Sequence, residues 1–508
     1  MRQVRTNSLR LTVVVVGFCL VFGFQLRTVN TRLSGDDFLL VNFWSQLPID
    51  AKSVWDLFWL TGQDKWRPVS TVPLVLLSRN FGFNNQFFVL INIVLLSILA
   101  SVVGSYTYSI SKRFSVAFVS MAAVAITPFN WYGQTSLFGL MEILDILLCL
   151  LGLIFLCKYF ETETAWAFAL SYTFLFAASL CHERFLIVPI SCWAYSLFFR
   201  RNFRRNRFPI YLLTIPLLHI FLKGFVLRID PLTGGGESNV RSSIGPWILG
   251  HFRDSFSALF GMKSGMGIYY SDGTFQAKAS ASHMEFLGLV IFLPALISLV
   301  YLFLRKADSR HTAKTTLPSQ LLVKSGLFLV SALALLIPSA TVVERVEGRW
   351  LLAPQIFILI AFIGLVIYLC DANKPDPKFI GYFAVSFSLA IVVTGLIYRS
   401  HAKDYLAIQD QPSLAIEQLN SAVPVNEDWG VLVNQTDESM PTAWQFGYGA
   451  IFSQLKNPPS FVRFGSSWDL CPSALQTYTC FQINLNGLDP STQISSTVIG
   501  IQKVRREK

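Results

Sequence analysis

Long apolar runs separated by short polar segments occupy the chain from about residue 11 to residue 398. The longer runs reach the roughly 20 residues that an α-helix needs to cross the hydrocarbon core of a bilayer, and several runs are shorter. This pattern predicts an all-α polytopic membrane protein. We assign eleven candidate transmembrane helices, at residues 11–26, 86–108, 114–128, 137–157, 165–181, 185–199, 208–227, 286–304, 321–341, 350–370 and 379–398.

Clusters of lysine and arginine fall in alternate polar segments, and they indicate the orientation of the chain. The two largest clusters lie at 200–207 and 305–324. Because basic loops stay in the cytoplasm, we predict a cytoplasmic N-terminus. Arg2, Arg5 and Arg10 precede the first apolar run, which we interpret as an uncleaved signal-anchor.

This orientation puts two long loops, 27–85 and 228–285, and the tail 399–508 outside the cytoplasm. The first loop mixes aromatic, aliphatic and polar residues at helical spacing over 38–47 and 53–60, which predicts helices in the membrane interface. In the tail, short apolar runs alternate with turn residues, at 429–433, 461–464, 480–485 and 497–504. We therefore predict a transmembrane domain over 1–398 and a small extracytoplasmic α/β domain over 399–508.

The composition is typical of a membrane protein, and it limits the classes of binding partner. Of 508 residues, 53% are hydrophobic and only 14% are charged. The net charge of +11 would suggest an anionic partner in a soluble protein, but basic cytoplasmic loops account for it. We therefore predict membrane lipid as a partner and no nucleic acid. The spacing of Cys gives no metal signature and no cofactor is identified, but acids at the outer face could bind a divalent cation.

Candidate chemistry is concentrated at the outer ends of the predicted spans. The residues are Asp36, Asp37, Arg67, Glu142, Asp145, His182, Glu183, Arg184, Glu347 and Arg349. A carboxylate can take a proton from an attacking hydroxyl, and cations can neutralise a departing phosphate. Charged residues so close to lipid are costly, which favours a functional role for at least some of them.

Each of these groups also has a structural interpretation. Asp36 and Asp37 could simply begin a helix, because acids in a first turn interact well with the helix dipole. Glu142 and Asp145 lie three residues apart on one helix face, where they could form an ion pair, line a site or bind a divalent cation. Residues 182–184 could be a solvated turn, and Arg349 could reach lipid headgroups.

The order of motifs along residues 1–400 resembles the GT-C superfamily of integral membrane glycosyltransferases. An acidic motif opens the first outer loop, and Arg-Pro, Phe-Gly, Asn-bearing, His-Glu and Arg-aromatic motifs follow. In order, they are Gly35-Asp36-Asp37-Phe38, Trp66-Arg67-Pro68, Phe81-Gly82-Phe83-Asn84, Val89-Leu90-Ile91-Asn92, the acidic helix that follows Pro128, His182-Glu183 with Pro189, and Arg349-Trp350-Leu351-Leu352-Ala353-Pro354. Two motifs depart from the usual pattern, with His182 in place of Lys and Trp350 in place of Tyr.

The resemblance implies a glycosyltransferase of a bacterial inner membrane. It would move a hexose or pentose from a polyprenyl-phosphate-linked donor to a hydroxyl of a cell-envelope glycan, lipid or protein, by inverting displacement. Asp36 or Asp37 would be the general base, with Asp36 preferred, and Arg349, His182 and Arg67 would hold the phosphate. Alternatives are a glycan polymerase or ligase of the same superfamily, and a transporter or flippase of lipid-linked sugars.

Overall fold

Six of the apolar runs are helices long and apolar enough to cross a bilayer, and the chain is a multi-pass, mostly helical membrane protein. In the computed structural model, the described residues are 2–33, 36–45, 51–59, 65–199, 208–229, 244–259, 317–342, 348–373, 412–422, 429–434, 447–464, 479–484 and 500–504. Within them, six segments are long and apolar enough to span a membrane: Leu11–Thr28, Asn85–Ser111, Gly139–Thr162, Phe208–Val226, Gln320–Pro338 and Gly348–Tyr368.

The count of eleven spans stays a prediction. The candidate spans at 286–304 and 379–398 lie outside the described residues. The candidates at 114–128 and 165–181 are helices, but they are shorter than a full crossing. The helix at Phe114–Ile126 has 13 residues, and at 1.5 Å per residue it covers only about 20 Å.

We number the helices in chain order. They are α1 (Arg2–Gln25), α2 (Asp36–Ser45), α3 (Ala51–Phe58), α4 (Pro68–Phe81), α5 (Asn85–Ser111), α6 (Phe114–Ile126), α7 (Trp131–Thr135), α8 (Gly139–Thr162), α9 (Ala165–Cys181), α10 (Ile187–Phe199), α11 (Thr214–Phe221), α12 (Ile244–Leu259), α13 (Leu317–Val342), α14 (Gly348–Asn373) and α15 (412–422). A 3₁₀ segment, Phe208–Leu213, precedes α11, and a π-helical turn, Leu222–Val226, follows it.

Helix α8 is central in the bundle, and its two ends contact opposite ends of the α13–α14 hairpin. Near its first turn, Glu142 lies 3.9 Å from Nε of Arg349 at the start of α14. Near its last turn, Glu161 pairs with Lys324 in the first half of α13. Helix α13 therefore runs antiparallel to α8, and α14 runs parallel to it. One end of the bundle gathers residues that we predicted to be extracytoplasmic, and the other end gathers residues that we predicted to be cytoplasmic.

The first loop contains the two helices that its pattern predicted, α2 and α3, and then α4. Pro68 is the first residue of α4, where its missing N–H is not needed. Gly82, with φ of +53°, ends α4, and the side chain of Asn84 accepts a hydrogen bond from the backbone N–H of Gln86 at the start of α5. This turn brings Phe83 to 6.5 Å from Phe38 of α2, between ring centroids.

The described part of the tail contains a four-stranded sheet, and each strand coincides with or overlaps one of the four apolar runs that predicted strands. They are β1 (Trp429–Asn434), β2 (Phe461–Phe464), β3 (Thr479–Asn484) and β4 (Gly500–Val504), in the spatial order β2-β1-β3-β4. Strand β1 is parallel to β2 and β3, and β3 is antiparallel to β4. The β1–β2 crossover includes the 3₁₀ helix Gly447–Gln454.

The tail packs directly on the first loop. Asn42 of α2 accepts a hydrogen bond from the hydroxyl of Ser453 at 3.0 Å, and Arg32 donates to Glu417 at 2.7 Å. Apolar side chains of both parts form one buried cluster, which includes Phe38, Val41, Trp44, Leu57, Ile416, Leu419, Trp429, Val431 and Phe452. The division into domains at residue 398 stays a prediction, but the sheet shares its core with the loop that contains Asp36 and Asp37.

We expect Gly139→Ala to destabilise the protein. A Cβ at this first residue of α8 would lie 1.9 Å from the backbone oxygen of Gly133 and 2.5 Å from the side-chain nitrogen of Asn92. Overpacking of this kind costs about 1–3 kcal/mol. Thermal unfolding in detergent should show the loss. Gly23→Ala is the matched control, because a Cβ there meets nothing within 4 Å. Equal stability of the two variants would contradict the close approach at Gly139.

Candidate active site

Eight ionisable side chains from five separate segments meet at one end of the bundle. We call them the charge cluster: Arg67, Glu142, Asp145, His182, Glu183, Arg184, Lys223 and Arg349. All but Lys223 were singled out from the sequence. If every acid and base is ionised and His182 is neutral, four cations face three carboxylates. The cluster is therefore suited to an anionic ligand.

Arg184 compensates the two buried acids of α8. Its Nη2 donates to Glu142 at 2.5 Å and to Asp145 at 3.3 Å. The three side chains are at most 8% exposed. Breaking such a buried pair costs about 3–5 kcal/mol in proteins, because it leaves uncompensated charge. Both acids thus form the ion pair that one of their interpretations predicted, and Glu142 also faces Arg349.

Glu183 is the partner of Arg67, whose Nε donates to it at 2.7 Å, and Lys223 lies 4.0 Å away. Burial by itself would raise the pKa of the Glu183 carboxyl, but Arg67 and Lys223 together hold that pKa below its usual value. Arg67 immediately precedes α4, and the first turn of α4 is attached to the end of α9. The hydroxyl of Ser70 in that turn donates to the backbone oxygen of Cys181 at 3.1 Å.

His182 is a neutral member of the cluster. Its Nδ1 accepts a hydrogen bond from the backbone N–H of Arg184 at 3.3 Å, so this nitrogen carries no proton. Burial, followed by the charges of Arg67, Arg184 and Arg349, lowers the pKa of His182 well below its ordinary value. The positive charge that a phosphate-binding role would assume for His182 is thus disfavoured at neutral pH.

Asp37 is buried, with 2% of its surface exposed, and its Oδ1 accepts a hydrogen bond from the hydroxyl of Ser136 at 2.8 Å. Asn92 of α5 donates to the backbone oxygen of the same Ser136, also at 2.8 Å. Two motifs that are far apart in sequence therefore meet on the turn just before α8. Asp36 is the first residue of α2, and its side chain lies outside the described part.

Arg349 is the most exposed of the four cations in the charge cluster, at 24% of its side-chain surface. Its guanidinium lies 4.5 Å from the ring centroid of Tyr132 and 5.8 Å from that of Trp350. Aromatic faces hold a guanidinium in place without using its N–H donors in hydrogen bonds. Glu347, two residues earlier, lies outside the described residues.

The sequence patterns did not single out several residues of the site. Lys223 is fully buried, and its isolation in an apolar run was a usable signal, since charged residues in spans are usually functional. His219, one turn before it, is also fully buried and packs its ring 5.6 Å from that of Trp66. Ser136 and Tyr132 gave no signal beyond their place in a predicted outer turn.

Several buried polar atoms of the charge cluster make no hydrogen bond to another described residue. Nε and Nη1 of Arg184 and Oδ1 of Asp145 are buried and make none there. Buried groups of this kind normally bond to water or a ligand. No group of three His, Cys, Asp or Glu side chains in the described ranges is arranged as a metal site.

We expect the stability of the protein to fall as the pH drops below about 6.5, partly because of His182. The unfolded chain binds a proton there near pH 6.5, whereas the folded chain resists it, so the free energy of unfolding falls by up to about 1.4 kcal/mol per pH unit. His182→Asn keeps an acceptor for the Arg184 N–H and removes the titration. Denaturation between pH 5 and 8 should therefore show a shallower pH dependence for the variant.

The depressed pKa of Glu183 gives an internal control. Its stabilising contribution is present above the unfolded pKa near 4.5 and is lost as the pH falls through the lower folded value. Both the wild type and His182→Asn should therefore lose stability at pH 4 and below. An identical pH dependence of the two proteins between pH 5 and 6.5 would show that His182 is not held neutral.

The chain matches no protein-family model and no curated protein sequence. The site combines a cluster with excess positive charge, a partly exposed arginine beside aromatic rings, and a pair of aspartates at the start of α2, where Asp37 is bonded to the turn before α8.

Proposed function

We propose that the protein is a membrane glycosyltransferase similar to the GT-C superfamily. It transfers a sugar from a polyprenyl-phosphate-linked donor to a hydroxyl of an envelope glycan, lipid or protein, on the extracytoplasmic side of a bacterial inner membrane. One observation supports this most: Arg349 is held beside Tyr132 and Glu142 at the rim of a net positive cluster, at a helix end.

A phosphate is the anion that best fits these cations. Guanidinium groups bind phosphate oxygens through paired, charge-assisted hydrogen bonds, and Arg349 is the most exposed of them. Arg67 and Lys223 both pair with Glu183, so they would contribute mainly to the positive electrostatic potential at the site. The acids prevent the cluster from holding four uncompensated positive charges in an apolar bundle.

The aspartate pair supplies the other end of the proposed reaction. Asp37 is engaged by Ser136, which favours a role in fixing the start of α2. We therefore assign the base to Asp36. In the proposed step Asp36 takes the proton of the acceptor hydroxyl, the oxygen forms a bond to the anomeric carbon, and the bond from that carbon to the phosphate oxygen breaks. The electron pair leaves with the phosphate, whose charge Arg349 neutralises, and the anomeric centre inverts.

A site at the end of the bundle suits a donor whose lipid stays in the bilayer. The polyprenyl chain would lie among the helices or in the surrounding lipid, and the phosphate would reach the charge cluster at the surface. The tail, which packs on α2, is well situated to contact the acceptor. We propose that the tail is an extracytoplasmic domain that helps to select it.

We expect Asp36→Asn to lower sugar transfer by about 10²- to 10⁴-fold, the usual range for the loss of a general base. Asp37→Asn should have a much smaller effect, because an amide oxygen still accepts the hydrogen bond from Ser136. The measurement is release of free polyprenyl phosphate from lipid-linked sugars by the protein in proteoliposomes, with native membrane extract as the acceptor source. Full activity of both variants would end the base assignment.

We expect Arg349→Gln to lower the same activity by about 10²-fold, since it removes the cation that neutralises the leaving phosphate. Arg349→Lys should recover part of the loss, because it restores the charge without the paired hydrogen bonds. Arg113→Gln is the matched control, since Arg113 precedes α6 at the opposite end of the bundle. Equal activities of Arg349→Gln and Arg113→Gln would exclude Arg349 from the site.

The same proteoliposomes separate the proposal from a transporter or flippase. Movement of the lipid-linked sugar across the vesicle without release of polyprenyl phosphate, and with no dependence on Asp36, would favour transport. Mass analysis of envelope glycans from a deletion strain would identify the acceptor, and the loss of one sugar from one glycan is the expected result.

A further inference from the structure

A cavity of about 680 Å³ lies at the end of the bundle opposite to the charge cluster. Residues of α1, α5 and α8 line it, and Lys324 of α13 is at its rim. Lys158, which also lines it, is 16 residues after Glu142 on α8, a distance of about 24 Å along the helix. The cavity is therefore a separate feature from the candidate active site, and its size is typical of a ligand site, about 300–1,000 Å³.

The walls of this cavity are mainly apolar and open to the surrounding bilayer on the α1 side. Val15 and Cys19 of α1 line it and are exposed, as is Ile98 of α5. The spanning part of α1 is only 28% buried, the lowest share among the six spans. A hydrocarbon chain could therefore enter sideways between α1 and α8, without crossing polar surface.

The rim of the cavity is polar and, on balance, basic. Nζ of Lys158 lies 4.1 Å from the ring centroid of Trp166, and Lys324 pairs with Glu161. Lys112 reaches the same rim, since it donates to the backbone oxygen of Ser109, which lines the cavity. A second acid of the described part, Glu163, lies just beyond the end of α8. Among these described residues, three lysines thus accompany two acids at the level where headgroups begin.

We propose that this cavity binds one anionic phospholipid, with an acyl chain against the apolar walls and the phosphate at Lys158 and Lys324. Basic pockets between helices at the cytoplasmic surface attract anionic headgroups, and each lysine near the surface contributes a favourable interaction. The orientation predicted from the loops puts this rim at the cytoplasmic leaflet. Trp166 holds the ammonium of Lys158 at the interface, where a phosphate would meet it.

The site does not depend on the proposed sugar transfer. The lipid-linked donor would bring its phosphate to Arg349 at the other end of the bundle. A failure of the lipid site would therefore leave the proposed function intact, and the reverse also holds.

Native mass spectrometry of the full-length protein in detergent tests the proposal. Phosphatidylglycerol and phosphatidylcholine with identical acyl chains are added in equal amounts. We expect one phosphatidylglycerol to be retained at least about fivefold better than phosphatidylcholine. Lys158→Gln should weaken phosphatidylglycerol retention by roughly fivefold and leave phosphatidylcholine unchanged. Raising the salt concentration should also reduce the preference.

Two further variants separate the contributions of chain and headgroup. Ser105→Phe adds a large side chain to the cavity wall and should reduce retention of both lipids. Lys456→Gln, an exposed lysine of the tail, should change neither. Thermal unfolding of each variant confirms that it folds. Equal retention of the two lipids by the wild type, or an unchanged preference in a folded Lys158→Gln protein, would overturn the proposal and indicate that Lys158 only reaches toward bulk lipid.

Discussion

The compensation of buried carboxylates by Arg184 is the interaction on which the rest of the site depends. Glu142 and Asp145 lie in the first two turns of α8, just before its long apolar stretch, where an uncompensated charge would be very costly. One guanidinium, from the turn between α9 and α10, pairs with both. This pairing fixes the turn against α8, and with it the two neighbours of Arg184 along the chain.

The position of that turn determines which other side chains reach the charge cluster. Glu183 is set where Arg67 and Lys223 can reach it, which ties the start of α4 and the end of the 208–226 span to the same end of the bundle. Burial, followed by the charges of nearby guanidinium groups, lowers the pKa of His182, so its ring is neutral at pH 7. The remaining side of Glu142 faces Arg349, the cation with the greatest exposure. A set of structural ion pairs thus leaves one arginine at its rim, which is where a phosphate could bind.

The two ends of α8 have different uses. Its first turns hold buried acids in a tightly bonded cluster that the tail and the first loop border. Its last turns hold Lys158 and Glu161 beside an apolar cavity that opens to lipid. Both ends of α8 are bonded to the α13–α14 hairpin, through Arg349 and Lys324. The physical separation of the two sites follows from the length of one span.

The sequence by itself determined the class of the protein and most of its elements. Apolar runs predicted the six spanning helices of the described residues, alternation with turn residues predicted the four described strands of the tail, and charged residues at span ends predicted every member of the charge cluster except Lys223. These signals are local, since they depend on periodicity and on the cost of charge in lipid. Only the tertiary structure decided which charges pair. It assigned Arg184 to both acids of α8, joined Asp37 and Asn92 through Ser136, and added Lys223, because those pairings join residues far apart in the chain whose meeting depends on how whole helices pack.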